Sequence, residues 1–365
     1  MVTAGKDADL PPLGRAPLLA LGFVALVFGV LGGLWRLGWA PPLPGTEPAT
    51  FHGALMAAAF FGTVIGLERA AAYGRWPAYL GPLCAGVGGV ATAWGAPHIF
   101  SASLLVGASA VLAAVTFAFH RRQPAPHLLL LLVGALCGVA GNLLWLAGFP
   151  ASEVMGAWAG FLVLTIVGER LELSRLRRPS AGALKLLAVS TVLYLVGAVA
   201  LPLHWKTGTA VIGVAMVGLA LWLSFNDIAR RNLRHHGLMR FTAVCLVGGY
   251  AWLGLGGLLL PFAAPAGPLY DAALHAVFLG FVFAMVFGHA PIIFPAVLRV
   301  AVPYTPLFYA HVALLNATLA VRIAGDLLDR VAWRAWGGMG NAVALALFLL
   351  MTVGSVIRAR RPAAA

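Results

Sequence analysis

Charge is what this sequence lacks. Of 365 residues only 10% are Asp, Glu, Lys or Arg, whereas 61% are hydrophobic and the mean hydropathy is +0.94. A soluble domain carries about 25% charged and about 45–50% apolar residues. The deficit excludes soluble enzymes, coiled coils and disordered chains, and leaves a polytopic membrane protein. Cysteine is scarce too. Cys84, Cys137 and Cys245 lie far apart in apolar stretches without a CxxC pattern. That excludes a disulfide framework and assigns them to small-residue packing. Acidic residues number 11 against 24 basic ones, a net charge of +13. In a soluble protein such an excess points to nucleic acid; here the basic residues must first be placed relative to a membrane.

What is present is a series of apolar runs of about 17–25 residues, each long enough to cross a hydrocarbon core of ~30 Å. They lie near 17–40, 50–69, 78–96, 99–119, 128–149, 153–170, 184–203, 208–226, 239–260, 272–294, 305–325 and 336–357. The expected fold is all-α, a polytopic bundle of twelve transmembrane helices. Short connections leave no room for a soluble domain, so residues 1–365 are expected to form one integral membrane domain. The first run has no small-residue cleavage site and reads as a retained span. With a cytoplasmic N-terminus, all 24 Lys and Arg except Arg36, Lys206, Arg322, Arg330 and Arg334 fall on the inner side. Positive residues mark the cytoplasmic face, which places both termini inside and removes the need for a nucleic-acid partner. Trp35, Trp39, Trp252 and Trp336 read as interfacial anchors, and Gly62-x-x-x-Gly66 as a close helix contact in lipid.

Ionisable groups inside a membrane are costly and are functional candidates by default. Of ten histidines, His98, His120, His127, His204, His235 and His236 fall in loops or at helix ends and read as solvated. His52, His275, His289 and His311 fall inside spans. His52 opens the second helix and His275 the tenth, and both helices run from outside to inside. The two imidazoles are therefore expected at equal depth in the outer leaflet, each beside a small residue (Gly53, Ala276), where they could hold a haem between them. Met56 and Phe60 follow His52 on one face by four-residue spacing, and Phe278 and Phe281 add an aromatic wall near His275. His289 lies 14 residues after His275, facing nearly the same way but ~21 Å deeper. With His311, at similar depth in the next helix, it forms a second possible metal site; alternatively it caps backbone groups broken by Pro291 and Pro295.

The second helix ends in Gly66-Leu67-Glu68-Arg69 and the sixth in Gly168-Glu169-Arg170, each after a Thr and apolar residues. This hints at a repeat of roughly 101 residues whose Glu-Arg ends form interfacial ion pairs or, for Glu68, a proton entry. Arg322 precedes Asp326 by four residues and is a candidate partner for a haem propionate. Asp271, four residues before His275, is a candidate to orient its imidazole.

On these residues the chain resembles NnrS, a family of twelve-helix haem- and copper-containing membrane proteins tied to nitric oxide stress in bacteria. His52-Gly53-Ala54-Leu55-Met56 is similar to the family's His-x-His-Glu-Met opening in its first His and its Met. Gly168-Glu169-Arg170 resembles a Gly-Gly-Arg segment. Tyr250-Ala251-Trp252-Leu253 and Leu274-His275-Ala276 resemble a Tyr-Ala-Trp-Leu stretch and a Leu-His-Ala opening, with Met285 in register. Ala54 and Leu55 stand where the family has His and Glu, and Val247 stands where another His is expected, so a copper site loses ligands while the haem pair is kept. The chain is more distantly similar to subunit I of haem-copper oxidases, whose low-spin haem lies between histidines of helices 2 and 10. It has no His in its sixth or seventh span for the copper of that enzyme, so oxygen or nitric oxide reduction by the oxidase mechanism is not expected.

The resemblance implies a bacterial inner-membrane protein that binds haem b and takes nitric oxide or a related small ligand, with an electron donor as a further partner. The alternative is a secondary transporter without haem. Twelve helices and a basic segment from Arg170 to Lys185 suit one, and Gly66-Leu67-Glu68-Arg69…Gly74-Arg75 echoes a major-facilitator loop with altered spacing.

Overall fold

In a computed structural model the described residues are 9–174 and 179–360, and they are all-helical, with no strand among them. Lys6, Arg175, Arg177, Arg178 and Arg361, part of the charge pattern above, lie outside them. The long helical segments are α1 (Pro12–Arg36), α2 (Ala54–Tyr73), α3 (Leu80–Ala93), α4 (His98–Arg122), α5 (Pro126–Leu146) and α6 (Ala151–Ser174). They continue as α7 (Ala181–Ala200), α8 (Trp205–Asn226), α9 (Gly237–Leu259), α10 (Pro268–Leu298), α11 (Phe308–Leu327) and α12 (Val331–Arg360). Among the described residues, 11 of these are long and apolar enough to cross a membrane, which makes the chain a multi-pass membrane protein. The exception is α3, with 14 residues, which at 1.5 Å per residue covers about 21 Å. A 3₁₀ turn, Trp76–Tyr79, leads into it.

The chain divides into two compact units, residues 1–168 and 169–365. In the first, α3 is the helix that α1, α2 and α4 close upon. Its glycines let α1, α2 and α4 approach. A Cβ on Gly86 would meet Leu21 of α1, one on Gly89 would meet Ala59 of α2 and Ala25 of α1, and one on Gly88 would meet Leu104 and Leu105 of α4. Gly62 and Gly66 of α2 face Ala85 and Pro82 of α3. In lipid, apolar burial does not drive helices together and close packing of small residues does. Beside this group, α5 and α6 are joined by Gly134, Gly138 and Gly141 against Thr165, Phe161 and Trp158. Trp158 is buried and donates through Nε1 to Asn142 Oδ1, while Asn142 donates to the Leu105 carbonyl and to Ser109 of α4.

The second unit begins in the last turns of α6 with Glu169 and Arg170. Helices α7 and α8 meet at Gly197 and Gly208, α8 and α9 at Gly213 and Gly257, and α9 and α10 at Gly249, Gly256, Gly280 and Gly288. Helices α11 and α12 meet at Gly325, Gly337 and Gly340. Trp252 sits in the body of α9, its ring against Gly280 and its Nε1 donating to Asn316 Oδ1 of α11 at 2.7 Å. It therefore joins helices and is not the interfacial anchor its residue type implied, whereas Trp336 is exposed as an anchor requires. Cys137 and Cys245 are buried and Cys84 is half-buried, all as free thiols.

Candidate functional site

His52 and His275 belong to different units, and each is described within its own. Both adjoin a π-helical stretch. Helix α2 begins with π turns over Ala54–Phe60, two residues after His52, and α10 has π turns over Ala276–Phe283, starting at the residue after His275. Among the described residues these are the π stretches of the chain. The i→i+5 bonding of a π turn is rare and recurs at functional sites, because it re-aims side chains at a cost in backbone stability. In both places the local sequence is poor in large residues on the approached face: Gly53 lies under Met155, and Gly280 under Trp252.

The two imidazoles are anchored in the same manner. His52 Nδ1 lies 2.6 Å from the Gly29 carbonyl of α1, and His275 Nδ1 lies 2.8 Å from the carbonyl of Asp271, one turn earlier in α10. A carbonyl only accepts, so Nδ1 carries the proton and the lone pair resides on Nε2. That tautomer, with Nδ1–H held by the backbone, is the form in which imidazole binds a metal through Nε2. The His52 ring rests on Gly33, where an added Cβ would come within 3.0 Å of it, and Met56 packs its Sδ against Gly29. His52 and Met56 thus share a face, as their spacing predicts. That face meets the glycine stripe of α1, which is where the thioether expected beside a haem is used.

Arg322 and its surroundings depart from expectation. The i,i+4 spacing predicts a pair with Asp326, but Arg322 instead reaches Asp271 of α10, with its Nη2 at 2.8 Å and its Nε at 3.3 Å from Oδ2. Asp326 pairs with Arg334 of α12 at 3.0 Å, and Arg334 also lies 3.7 Å from Asp271. The guanidinium expected to meet a propionate is therefore engaged by Asp271. Asp271 in turn approaches His275 Nδ1 with its carboxylate at 3.4 Å, beyond the closer backbone carbonyl. Its orienting role falls to its main chain. Residues Asp326 and Arg334 complete a buried-to-half-buried cluster of opposite charges where α10, α11 and α12 meet.

His289 and His311 have separate surroundings. Arg170 Nη1 lies 3.0 Å from His289 Nε2. A guanidinium has no acceptor, so Nε2 accepts and its lone pair is taken; Nδ1 then donates to the Met285 carbonyl at 2.8 Å. The carbonyl that His289 meets is that of Met285, whereas Pro291 and Pro295 remove donors from the carbonyls of Phe287 and Pro291. His311 is 1% exposed and neither ring nitrogen has a hydrogen-bond partner. It is enclosed by Phe287, Phe348, Phe308 and Phe241, with ring centroids at 4.6, 5.4, 5.8 and 6.1 Å. The edge-on contact with Phe287 at 89° leaves it an aromatic core residue. The assumption that His275 and His289 face one way also fails, because a π turn takes more residues than an α turn and the eight residues of Ala276–Phe283 intervene. Among the described residues no three His, Cys, Asp or Glu side chains come together as a metal site.

The polar centre that sequence reasoning missed is built on Arg170. Its Nε lies 3.0 Å from Asp227 Oδ2, with side-chain exposures of 5% and 0%. The Tyr250 hydroxyl of α9 donates to the same carboxylate oxygen. Arg170 of α6, Asp227 at the end of α8, Tyr250 of α9 and His289 of α10 thereby form one buried network. Arg170, read from the sequence as half of an interfacial Glu-Arg pair, makes a cross-helix ion pair with Asp227. Asp227 was hidden in the sequence by the basic run beginning at Arg230, which makes it look like a loop residue. Two of the solvated histidines are also engaged otherwise: His127 is buried, and His98 bonds the Trp145 carbonyl through Nε2 at 2.8 Å.

No curated protein matches the sequence. A family model does, over residues 15–357, spanning nearly every helix described above, and the chain belongs to that family, a domain of unknown function (DUF8744).

Proposed function

We propose that this protein is a haem-binding, twelve-span protein of the bacterial inner membrane, of the NnrS type, that binds nitric oxide or a related small ligand or relays electrons to it. The observation that carries the reading is the shared treatment of His52 and His275: each has Nδ1–H on a backbone carbonyl, and each stands at the start of a π stretch. Two histidines prepared alike, in the tautomer that puts the lone pair on Nε2, fit the ligands of a haem b. Arg322 and Met56 are engaged within the protein and are left out of the ligand set. Bound haem would supply an iron that exchanges single electrons and takes diatomic ligands, with its potential set by its axial ligands and surroundings. Held by these histidines, such a group would suit electron relay or the binding of a small ligand. The twelfth span is supplied by α3 together with its 3₁₀ lead, which covers about 29 Å. With it the basic residues fall on the cytoplasmic side, both termini are inside, and residues 1–365 form one membrane domain with a bundle like that of haem-copper oxidase subunit I.

The test is optical. Protein purified after expression with haem supply should show a Soret band, a b-type pyridine haemochrome, and loss of the band in His52→Ala and in His275→Ala. A colourless wild-type protein, or a band indifferent to both substitutions, refutes the reading. The division into two units of similar length favours a second reading, a secondary transporter, since such proteins are commonly built from two halves. Solute uptake by colourless protein in vesicles would establish it.

A further inference from the structure

The second unit has a groove that none of the foregoing uses. It has a volume of about 460 Å³, lies between the chain leading into α11 and the last turns of α12, and is lined by Thr305, Leu307, Leu350, Met351, Gly354, Ile357 and Arg358. Nearby in the chain, Ser355 donates to the Pro303 carbonyl at 2.6 Å, which ties the approach to α11 to α12. The lining is apolar along its length and ends in one cation. Leu350, Leu307 and Ile357 are 71%, 58% and 51% exposed, so these large apolar surfaces face whatever surrounds the protein. A Cβ on Gly354 would meet no atom within 4 Å. The helix therefore presents an open notch at the middle of the groove. Arg358, at its end, makes no ion pair among the described residues.

We propose that this groove binds an anionic phospholipid, one acyl chain lying along Leu350, Met351, Gly354 and Ile357 and its phosphate on Arg358. The chemistry at each end matches one part of such a lipid. An aliphatic surface eight residues long, about 12 Å along the helix, needs an apolar occupant in the hydrocarbon region. An exposed guanidinium at the helix end suits a phosphodiester, which it can hold through paired donors. Helix α12 is of membrane-spanning length and ends two residues beyond Arg358, so the cation lies where an acyl chain meets its headgroup. Basic groups at the cytoplasmic end of a span attract anionic lipid, and the topology proposed above puts Arg358 at that end. The groove itself depends on neither haem nor transport.

The experiment counts lipids on the full-length protein by native mass spectrometry from detergent micelles supplied with phosphatidylglycerol and phosphatidylcholine at equal concentration. Wild type should retain phosphatidylglycerol about 5-fold over phosphatidylcholine, the preference expected of one cation near the headgroup. Arg358→Gln should reduce that ratio to about 1. Gly354→Leu, whose Cβ would meet no protein atom within 4 Å, fills the notch and should lower retention of both lipids, and size-exclusion profiles check that the variants remain folded. Equal retention by wild type, a preference that survives Arg358→Gln, or retention unchanged by Gly354→Leu overturns the proposal. Displacement of the lipid by millimolar inorganic phosphate also overturns it, by showing a site for a free anion.

Discussion

Removing the guanidinium of Arg170 tests the buried network most directly. Arg170 Nε and Asp227 Oδ2 are 3.0 Å apart, and the two side chains are 5% and 0% exposed. At an effective dielectric constant of 20 the attraction is about 5–6 kcal/mol, offset by the desolvation of both ions. Truncating one partner removes the attraction and keeps the desolvation, which costs about 3–5 kcal/mol. Arg170→Ala should therefore destabilise the protein by that amount, with His289 Nε2 losing its donor at the same time. Arg170→Lys keeps a charge for Asp227 but lacks the planar fork that reaches Asp227 and His289 together, so it should cost less, about 1–2 kcal/mol. In Arg170→Met with Asp227→Leu no ion is stranded. The remaining penalties are the unpaired Tyr250 hydroxyl, about 1–3 kcal/mol, and the His289 donor that Arg170→Ala loses as well, so the double variant should lose less than the two single ones together. The assay is equilibrium unfolding in mixed micelles by SDS titration, followed by circular dichroism, as a double-mutant cycle. A loss under 1 kcal/mol for Arg170→Ala, or additive losses in the double variant, would refute the buried-pair assignment.

Further expectations concern the glycine packing and the support of His275. Gly32→Ala would place a Cβ 2.1 Å from the carbonyl oxygen of Pro48, and backbone cannot swing aside. Thermal stability should fall by about 1–3 kcal/mol, whereas Gly107→Ala, with nothing within 4 Å, should be neutral or gain up to about 1 kcal/mol from helix propensity. Asp271→Asn removes the charge that holds Arg322 and should cost about 1.5–3 kcal/mol in the same unfolding assay. Because His275 is anchored by the main-chain carbonyl of residue 271, that variant should keep any Soret band that His275→Ala abolishes.

The positions of the helices were legible from the sequence to within a few residues, because each apolar run must be long enough to span lipid and no alternative element satisfies its backbone there. The length of α3 was not. Its apolar run looks like any other, and only the packing of Gly86, Gly88 and Gly89 against three neighbours reveals a short central helix. The candidate histidines were legible as rare ionisable groups within spans, and the spacing of Asp271 and His275 was read as a contact. Which atom of Asp271 makes the contact was not legible, since an i−4 carbonyl and an i−4 carboxylate share that spacing. The π stretches were also invisible: Ala54–Phe60 and Ala276–Phe283 are apolar segments with no local signature of an i→i+5 turn.

By itself, the sequence determined an all-helical membrane protein, its apolar segments and the small set of ionisable residues within them. Composition and run length decide these matters without reference to any distant residue. The tertiary structure alone decided how those residues are used. It gave Arg170 to Asp227 and His289, Arg322 to Asp271, and Asp326 to Arg334, and it closed His311 inside four phenylalanine rings. The physical reason is that a charge in an apolar interior must find an opposite charge or a hydrogen-bond partner. In a helical bundle that partner lies on another helix, at a separation along the chain that no local pattern encodes.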